Sequence, residues 1–175
     1  EGKNNQIGIV THKLNPKNIK IAQREALMWG TIQQDAINFG NILHEIMAFI
    51  HTKEDVDLAI QKATELGLIT FSQHQIFKET IAKIVNHEEL IPFFDADAKV
   101  FNEQNIIKKA FKNIKPDRVV VKDNMAYLLD YKTGEKHNKH KAQLEEYELA
   151  LQEMKYTVAK KALIYIGESI EIVTL

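Results

Sequence analysis

The sequence predicts an α/β fold with a mainly helical first half and a mixed β-sheet, flanked by helices, in the second half. Apolar residues recur at helical spacing from residue 18 to residue 87. Beyond Lys99 they fall in short or alternating runs that are typical of strands. The chain has 175 residues, of which 45% are hydrophobic, and this is enough for one sizeable core. We therefore expect a single domain over 1–175, with residues 1–98 mainly helical.

The helical half is expected to contain helices near residues 18–50, 54–66 and 73–88. Gly30 and Gly40 are the candidate positions for a break in the first helix, because glycine weakens a helix interior. Two pairs have the spacing of capping boxes that open the later helices. They are Thr52 with Asp55 and Ser72 with Gln75.

The second half, residues 99–175, is expected to follow the order β-β-β-α-β-β. The strand candidates are, in chain order, KVFNEQNII, DRVVVK, AYLLDYK, KALIYI and IEIVTL. Asp123-Asn124 is a plausible tight hairpin turn between the second and third strands. The helix after the third strand should bury one apolar face. That face comprises Leu144, Tyr147, Leu151 and Met154.

The third strand carries charge in its middle, which an ordinary buried strand does not. Alternation places Leu128, Asp130 and Lys132 on one face. If the hairpin forms, Asp117 of the preceding strand comes near Asp130, and two carboxylates face one cleft. Such a pair repels unless a cation lies between them, and oxygen ligands suit Mg²⁺ or Mn²⁺. The pattern predicts metal-dependent phosphodiester hydrolysis with Lys132 beside the attacking water, although an exposed ion pair would have the same spacing.

The segment PDRVVVKDNMAYLLDYKTG, followed by QLEEY and preceded by FGNILHEI, resembles the nuclease domain of the RecB and AddAB recombination nucleases. These belong to the PD-(D/E)XK nuclease superfamily. The resemblance implies a restriction-endonuclease-like fold and a Mg²⁺- or Mn²⁺-dependent deoxyribonuclease, with exonuclease action expected. It also implies recombinational DNA repair by end processing, with single-stranded DNA as partner and a helicase module in cis or in trans. The chain would then be a domain excised from a longer helicase-nuclease.

The same resemblance assigns roles to individual residues. It implies that His44, Asp117 and Asp130 bind the metal, together with the backbone carbonyl of Tyr131. It makes Asp117, Asp130 and Lys132 the catalytic set. The other implied site residues are Glu103 as an accessory acid, and Gln143 and Tyr147 as DNA contacts. Arg118 is a further candidate DNA contact, suggested by its charge rather than by the resemblance.

For four of these residues the sequence leaves a second interpretation open. A lone helical histidine such as His44 is more often structural, and Tyr147 on an apolar stripe is more often a core residue. Arg118 could contact a phosphate or pair with a carboxylate. The role of Glu103 depends on the register of the first strands, because the turn FKNIKPD lacks the glycine that the family leads us to expect.

Composition excludes several classes of site. The absence of cysteine excludes disulfides, thiolate zinc sites and the iron–sulfur cluster of some relatives. A net charge of -1 means that any DNA-binding surface is local. Two basic strips are candidates, although each could equally be a solvated surface. They comprise Lys108, Lys109, Lys112, Lys115, Arg118 and Lys122 in the first, and Lys136, His137, Lys139, His140 and Lys141 in the second.

No apolar run approaches the length of a membrane span, so we expect a cytoplasmic protein without a membrane partner. Three other functions compete with the helicase-coupled nuclease. They are a catalytically silent DNA-binding module of the same fold, a structural protein-interaction domain, and a nuclease that acts alone on duplex ends.

Overall fold

The computed structural model describes residues 32–107, 113–167 and 169–175, with side-chain environments from Ile37 onward. The chain divides into two compact units, Glu1–Asp35 and Ala36–Leu175. Of the first unit, the structure describes only residues 32–35, which are helical. Some predictions lie outside the described residues. They concern the part of the first helix before residue 32, the candidate break at Gly30, and the strip members Lys108, Lys109 and Lys112.

Between residues 32 and 98, which the structure describes, there are three α-helices at the predicted places. They are α1 (Ile32–Met47), α2 (Val56–Glu65) and α3 (His74–Val85), with 3₁₀ turns at Lys53–Asp55, Phe71–Gln73 and Glu88–Phe94. The predicted break at Gly40 is wrong, because α1 continues through it. A Cβ atom at this position would lie 2.4 Å from Thr133 Cγ2, so the glycine allows the helix to approach a strand closely.

The two expected capping boxes have different outcomes. The box of Thr52 and Asp55 is confirmed, and the Thr52 amide donates to Asp55 Oδ2 at 2.7 Å. The second box consists of Thr70 and Gln73 rather than Ser72 and Gln75. A 3₁₀ turn precedes α3, so the helical entry and its cap lie two residues earlier than the spacing predicts.

The strands are β1 (Lys99–Asn102), β2 (Ile106–Ile107), β3 (Asn113–Ile114), β4 (Arg118–Lys122), β5 (Met125–Thr133), β6 (Thr157–Ile166) and β7 (Ile170–Thr174). Helix α4 (Asn138–Glu153) lies between β5 and β6. Five strands form one sheet in the order β1-β4-β5-β6-β7, and β2 pairs with β3 separately. Only β5 and β6 are parallel within the five-stranded sheet. The predicted α/β class, a mixed sheet flanked by helices after a helical segment, is confirmed.

Two turns determine how the strands meet. Asp123 and Asn124 both have positive φ, at 49° and 64°, and connect antiparallel β4 and β5, which confirms the predicted hairpin. The expected first strand over residues 99–107 is interrupted instead. It ends at Asn102 because Glu103 adopts a φ of 55° and its amide donates to the Asp117 carbonyl.

The sheet has a separate hydrophobic core on each face. Leu129 and Tyr131 belong to the core that contains α1, α2 and α3. Leu128 belongs to the core formed with α4, so the predicted alternation along β5 is confirmed. Leu144, Tyr147 and Leu151 are buried on α4 as expected, whereas Met154 follows the end of the helix and is 51% exposed.

Candidate metal centre

The site lies at a notch in the sheet, where β5 extends beyond the paired ends of β1 and β4. The register aligns Arg118, the first residue of β4, with Leu129, while β5 continues to Thr133. The edge of β5 beyond Leu129 therefore has no strand partner on that side. The Tyr131 amide donates to Asp117 Oδ2 at 2.7 Å there. A side chain thus replaces the missing strand, and Glu103 is drawn alongside through the hydrogen bond to the Asp117 carbonyl.

Three side chains converge in this notch from three elements. His44 Nε2 from the last turn of α1 lies 2.9 Å from Glu103 Oε1 and 3.2 Å from Asp117 Oδ1. One ligand atom from each residue lies within 4.8 Å of the other two. The His44 ring packs edge-on against Tyr131, with ring centroids 5.6 Å apart. The three groups can therefore hold one metal ion.

The hydrogen bonding of these atoms supports a cation rather than an ordinary polar cluster. His44 Nε2, Glu103 Oε1 and both carboxylate oxygens of Asp130 are buried, and beyond the contacts of these charged groups with one another and with Lys132 they have no hydrogen-bond partner in the described part of the chain. Buried polar atoms are nearly always hydrogen-bonded, and an ion is one of the few explanations when they are not. An imidazole and two carboxylates form a donor set that can bind a divalent metal ion.

Asp130 and Lys132 lie beside this group on the α4 face of β5. The Asp130 side chain is 1% exposed and its carboxylate forms an ion pair with the Lys132 ammonium, which is 17% exposed. Asp130 is outside the three-residue group that can share one ion. The geometry thus brings Glu103, expected as an accessory, into the ligand group, and places Asp130 next to it.

The pKa values of Asp130 and Asp117 are shifted in opposite directions. Burial raises the pKa of Asp130 to about 7, and the nearby Asp117 charge acts in the same direction against Lys132. Burial also opposes ionisation of Asp117, but the hydrogen bond and charge of His44 and the Tyr131 amide hold its pKa below the ordinary value. The contact with Asp117 raises the pKa of His44 despite the opposing effect of burial. A divalent cation would relieve the repulsion between the two carboxylates.

The Tyr131 carbonyl is on the correct edge for its predicted role. In an antiparallel ladder, the N–H and C=O groups of one residue point to the same side of the strand. Since the Tyr131 amide donates to Asp117, its carbonyl also points into the notch. The Tyr131 hydroxyl is buried, makes no hydrogen bond to the described residues, and has a raised pKa because of its burial.

The residues of the QLEEY segment lie on α4 near the notch. Gln143 is half-buried and donates through Nε2 to the Tyr147 hydroxyl. Tyr147 is 4% exposed and its hydroxyl donates to the Lys115 carbonyl at 3.2 Å. The position of Gln143 is compatible with a DNA contact, whereas the hydroxyl of Tyr147 points into the protein.

Arg118 requires a correction. Its side chain is fully buried and therefore out of reach of a DNA phosphate, and it forms no ion pair with a carboxylate of the described residues. The guanidinium lies over the Phe94 ring at 4.3 Å. Its hydrogen bonds go to the carbonyls of Phe93, Ile50 and His51, at 2.8, 2.6 and 2.5 Å, and to Asn102 Oδ1 at 3.0 Å. Arg118 therefore fixes the loop after α1 to the sheet.

The described members of the first basic strip, and two members of the second, make contacts within the protein. Lys115 forms an ion pair with Glu103, and Lys122 donates to Asp95 at 2.6 Å. In the second strip, His140 is buried with its Nδ1 3.3 Å from the Tyr165 hydroxyl, and Lys136 pairs with Glu171. Exposed members of the second strip remain at His137, Lys139 and Lys141. The ion pair between Lys115 and Glu103 was not predicted, because the bend of the chain at Glu103 cannot be inferred from local residue patterns.

Comparisons with known proteins add little to this geometry. No protein-family model matches the chain, and no curated protein matches it. A solved structure titled "Crystal structure of SSO0001" is similar with 18% sequence identity and a TM-score of 0.34. The match covers 74% of this chain and 65% of that one. Within the described residues, no helix combines the length and apolarity needed to cross a membrane.

Proposed function

We propose that the chain is a Mg²⁺- or Mn²⁺-dependent deoxyribonuclease that hydrolyses phosphodiester bonds. The observation that carries the proposal is the convergence of His44, Glu103 and Asp117 within 4.8 Å, in a notch bordered by the buried Asp130–Lys132 pair. An ion pair that serves only stability needs two charged groups. It does not explain why further charged groups converge here, nor why buried oxygens have no hydrogen-bond partner beyond these groups.

Each residue has a task in this reaction. His44, Glu103 and Asp117 hold the metal, and the Tyr131 carbonyl and Asp130 face the same space. The bound metal would act as a Lewis acid toward the scissile phosphate. Asp130 holds the Lys132 ammonium at the edge of the notch. From there the ammonium orients the attacking water and stabilises negative charge that develops on the phosphate oxygens.

The resemblance to the RecB and AddAB nuclease domains supports the biological part of the proposal. We place the reaction in exonucleolytic processing of DNA ends during recombinational repair in the cytoplasm. The substrate is single-stranded DNA, and a helicase module on the same chain or on a partner supplies it. Gln143 and the exposed residues His137, Lys139 and Lys141 lie on α4 or at its start, where they can contact the strand.

The first experiment measures degradation of end-labelled linear single-stranded DNA in Mg²⁺, Mn²⁺ or EDTA. The chain should cut in the presence of either metal and be inactive in EDTA. Asp130→Ala and Lys132→Ala should each lose the activity. Asp57 and Lys78 form a matched acid–lysine pair between α2 and α3, outside the notch. Asp57→Ala and Lys78→Ala should therefore cut like the wild type.

The competing functions predict different results in the same assay. A catalytically silent DNA-binding module would bind a fluorescent oligonucleotide without cutting it under any metal. A structural interaction domain would neither cut nor bind. Cutting that persists in EDTA, or that survives both Asp130→Ala and Lys132→Ala, would refute the proposed catalytic centre.

A further inference from the structure

The segment between β3 and β4 carries the candidate metal ligand Asp117, yet this segment belongs to neither strand. β3 ends at Ile114 and β4 begins at Arg118, so Lys115, Pro116 and Asp117 belong to neither strand. Pro116 has no amide hydrogen to donate. Something other than strand pairing must therefore fix the position of Asp117.

Helix α4 supplies that fixation. The Tyr147 hydroxyl donates to the Lys115 carbonyl at 3.2 Å, and Gln143 donates to the Tyr147 oxygen from one turn earlier. Because Gln143 occupies the acceptor side of the hydroxyl, the hydroxyl hydrogen is directed to the carbonyl. Ile114, immediately before the segment, packs in the same core as Tyr147.

Segment 115–117 contains the candidate ligand Asp117 and contacts the other two candidate ligands, Glu103 and His44. The Lys115 ammonium pairs with the Glu103 carboxylate, while Asp117 contacts His44 Nε2 and accepts from the Tyr131 amide. The Glu103 amide donates to the Asp117 carbonyl at 2.9 Å, which joins the two ligands through the backbone. A shift of this segment would therefore displace Glu103 and Asp117 together.

From this geometry we infer that Tyr147 and Gln143 are positioning residues, which hold segment 115–117 so that Glu103 and Asp117 meet His44 at metal-binding distance. The inference rests on the proposed metal centre. It assigns Tyr147 to metal affinity rather than to DNA contact, and it gives Gln143 a positioning role in addition to the DNA contact proposed above. Groups that orient metal ligands typically change metal affinity by roughly 10- to 100-fold when they are removed.

The test uses Tyr147→Phe, which removes only the hydroxyl, and titrates Mn²⁺ alone by calorimetry. Tyr147→Phe should raise the Kd for Mn²⁺ about 10-fold. Gln143→Ala should raise it by a smaller factor, because the hydroxyl keeps its acceptor. Tyr127→Phe is the matched control, since the Tyr127 hydroxyl makes no hydrogen bond to the residues that the structure describes. It should leave the Kd unchanged.

Two further measurements separate the possible roles. The affinity for a fluorescent oligonucleotide in EDTA should be the same for Tyr147→Phe and wild type, whereas a DNA contact would weaken it. Hydrogen exchange of the metal-free protein should be faster at the Glu103 and Tyr131 amides in Tyr147→Phe, because both amides donate to Asp117. This measurement requires no metal.

The outcomes distinguish failure of the inference from failure of the proposed function. Unchanged exchange at both amides, or an unchanged Kd for Mn²⁺ in Tyr147→Phe, would overturn the positioning role. If the wild-type chain bound no Mn²⁺, the metal centre and its link to Tyr147 would both be refuted. Faster exchange would then show only that Tyr147 holds the segment.

Discussion

Arg118 and Asp130 are buried charged residues on adjacent strands, and their surroundings are opposite. Arg118 is fully buried and every hydrogen bond it donates reaches a carbonyl or amide oxygen of the protein. Asp130 is 1% exposed, and apart from the close contact with the Lys132 ammonium neither of its oxygens has a hydrogen-bond partner among the described residues. Its one opposite charge in close contact within that part of the chain is the Lys132 ammonium.

The difference separates a charge whose contacts stabilise the fold from one whose surroundings fit the proposed reaction. A buried charge is tolerated when hydrogen bonds replace its hydration, as they do around Arg118. When they do not, the fold retains strained electrostatics, which is typical of functional sites. The two residues should therefore respond in opposite ways to removal of their charge.

Arg118→Met should give the largest effect, a loss of about 3 to 5 kcal/mol in the free energy of unfolding. The substitution leaves the carbonyls of Phe93, Ile50 and His51 without their donor. Urea denaturation followed by circular dichroism measures the loss. Lys139→Met, at an exposed position of α4, is the control and should stay within about 0.5 kcal/mol of wild type. A loss below 1 kcal/mol in Arg118→Met would contradict the structural role given to this residue.

Asp130→Asn should separate stability from activity. Nuclease activity should fall at least about 100-fold, because the ion pair that holds Lys132 at the notch is lost. The free energy of unfolding should rise by about 1 kcal/mol, because burial and the Asp117 charge disfavour the ionised form of Asp130 in the fold by more than Lys132 stabilises it. Both quantities are measured on one preparation, with the exposed Asp97→Asn as control. If activity and stability fell together, Asp130 would be a second structural charge like Arg118.

Local patterns predicted the sheet well because its determinants are local. Alternation along β5 and the Asp123-Asn124 turn are encoded in neighbouring residues, and both are confirmed. The break at Gly40 and the strand through Glu103 were wrong for a different reason. Each depends on a distant contact, Gly40 with Thr133 and Glu103 with Asp117, which propensity does not reveal.

The candidate site was likewise predictable from local patterns only where its residues are close together along the chain. Asp130 and Lys132 lie on β5, and Asp117 directly precedes β4 of the same hairpin, so the turn and strand alternation sufficed to bring them together. His44 and Glu103 reach the notch from other elements, and only the family resemblance indicated them. Arg118 was misinterpreted because its neighbour Asp117 is a candidate metal ligand, whereas its own side chain points toward the loop at Ile50.

Gly40→Ala tests whether the approach of α1 to β5 positions His44. The added methyl group would lie 2.4 Å from Thr133 Cγ2, so α1 must shift or Thr133 must rotate. We expect a loss of about 1 to 3 kcal/mol in the free energy of unfolding and weaker Mn²⁺ binding, because His44 is one turn away. Adding Thr133→Ser, which removes Cγ2, should restore both. Failure of the double variant to recover would place the strain elsewhere.

Asp55→Asn should have the smallest effect, and it probes the loop that Arg118 holds from the other side. Asp55 Oδ2 accepts from the amides of His51 and Thr52 at 3.0 and 2.7 Å. Burial opposes ionisation, but these amides hold the pKa of Asp55 below its ordinary value of 3.8. The stabilisation is therefore fully present above that value and is lost as the pH falls through the lower pKa of the folded state.

We accordingly expect Asp55→Asn to cost about 1 kcal/mol at pH 7, which is typical of a lost helix cap. The difference from wild type should shrink as the pH is lowered from 5 to 3, as measured by urea denaturation at each pH. Glu54→Gln, at the exposed neighbouring position, is the control and should show neither effect. A cost that stayed constant with pH would mean that the loop depends on the shape of Asp55 and not on its charge. Arg118 alone would then supply the electrostatic part of the junction.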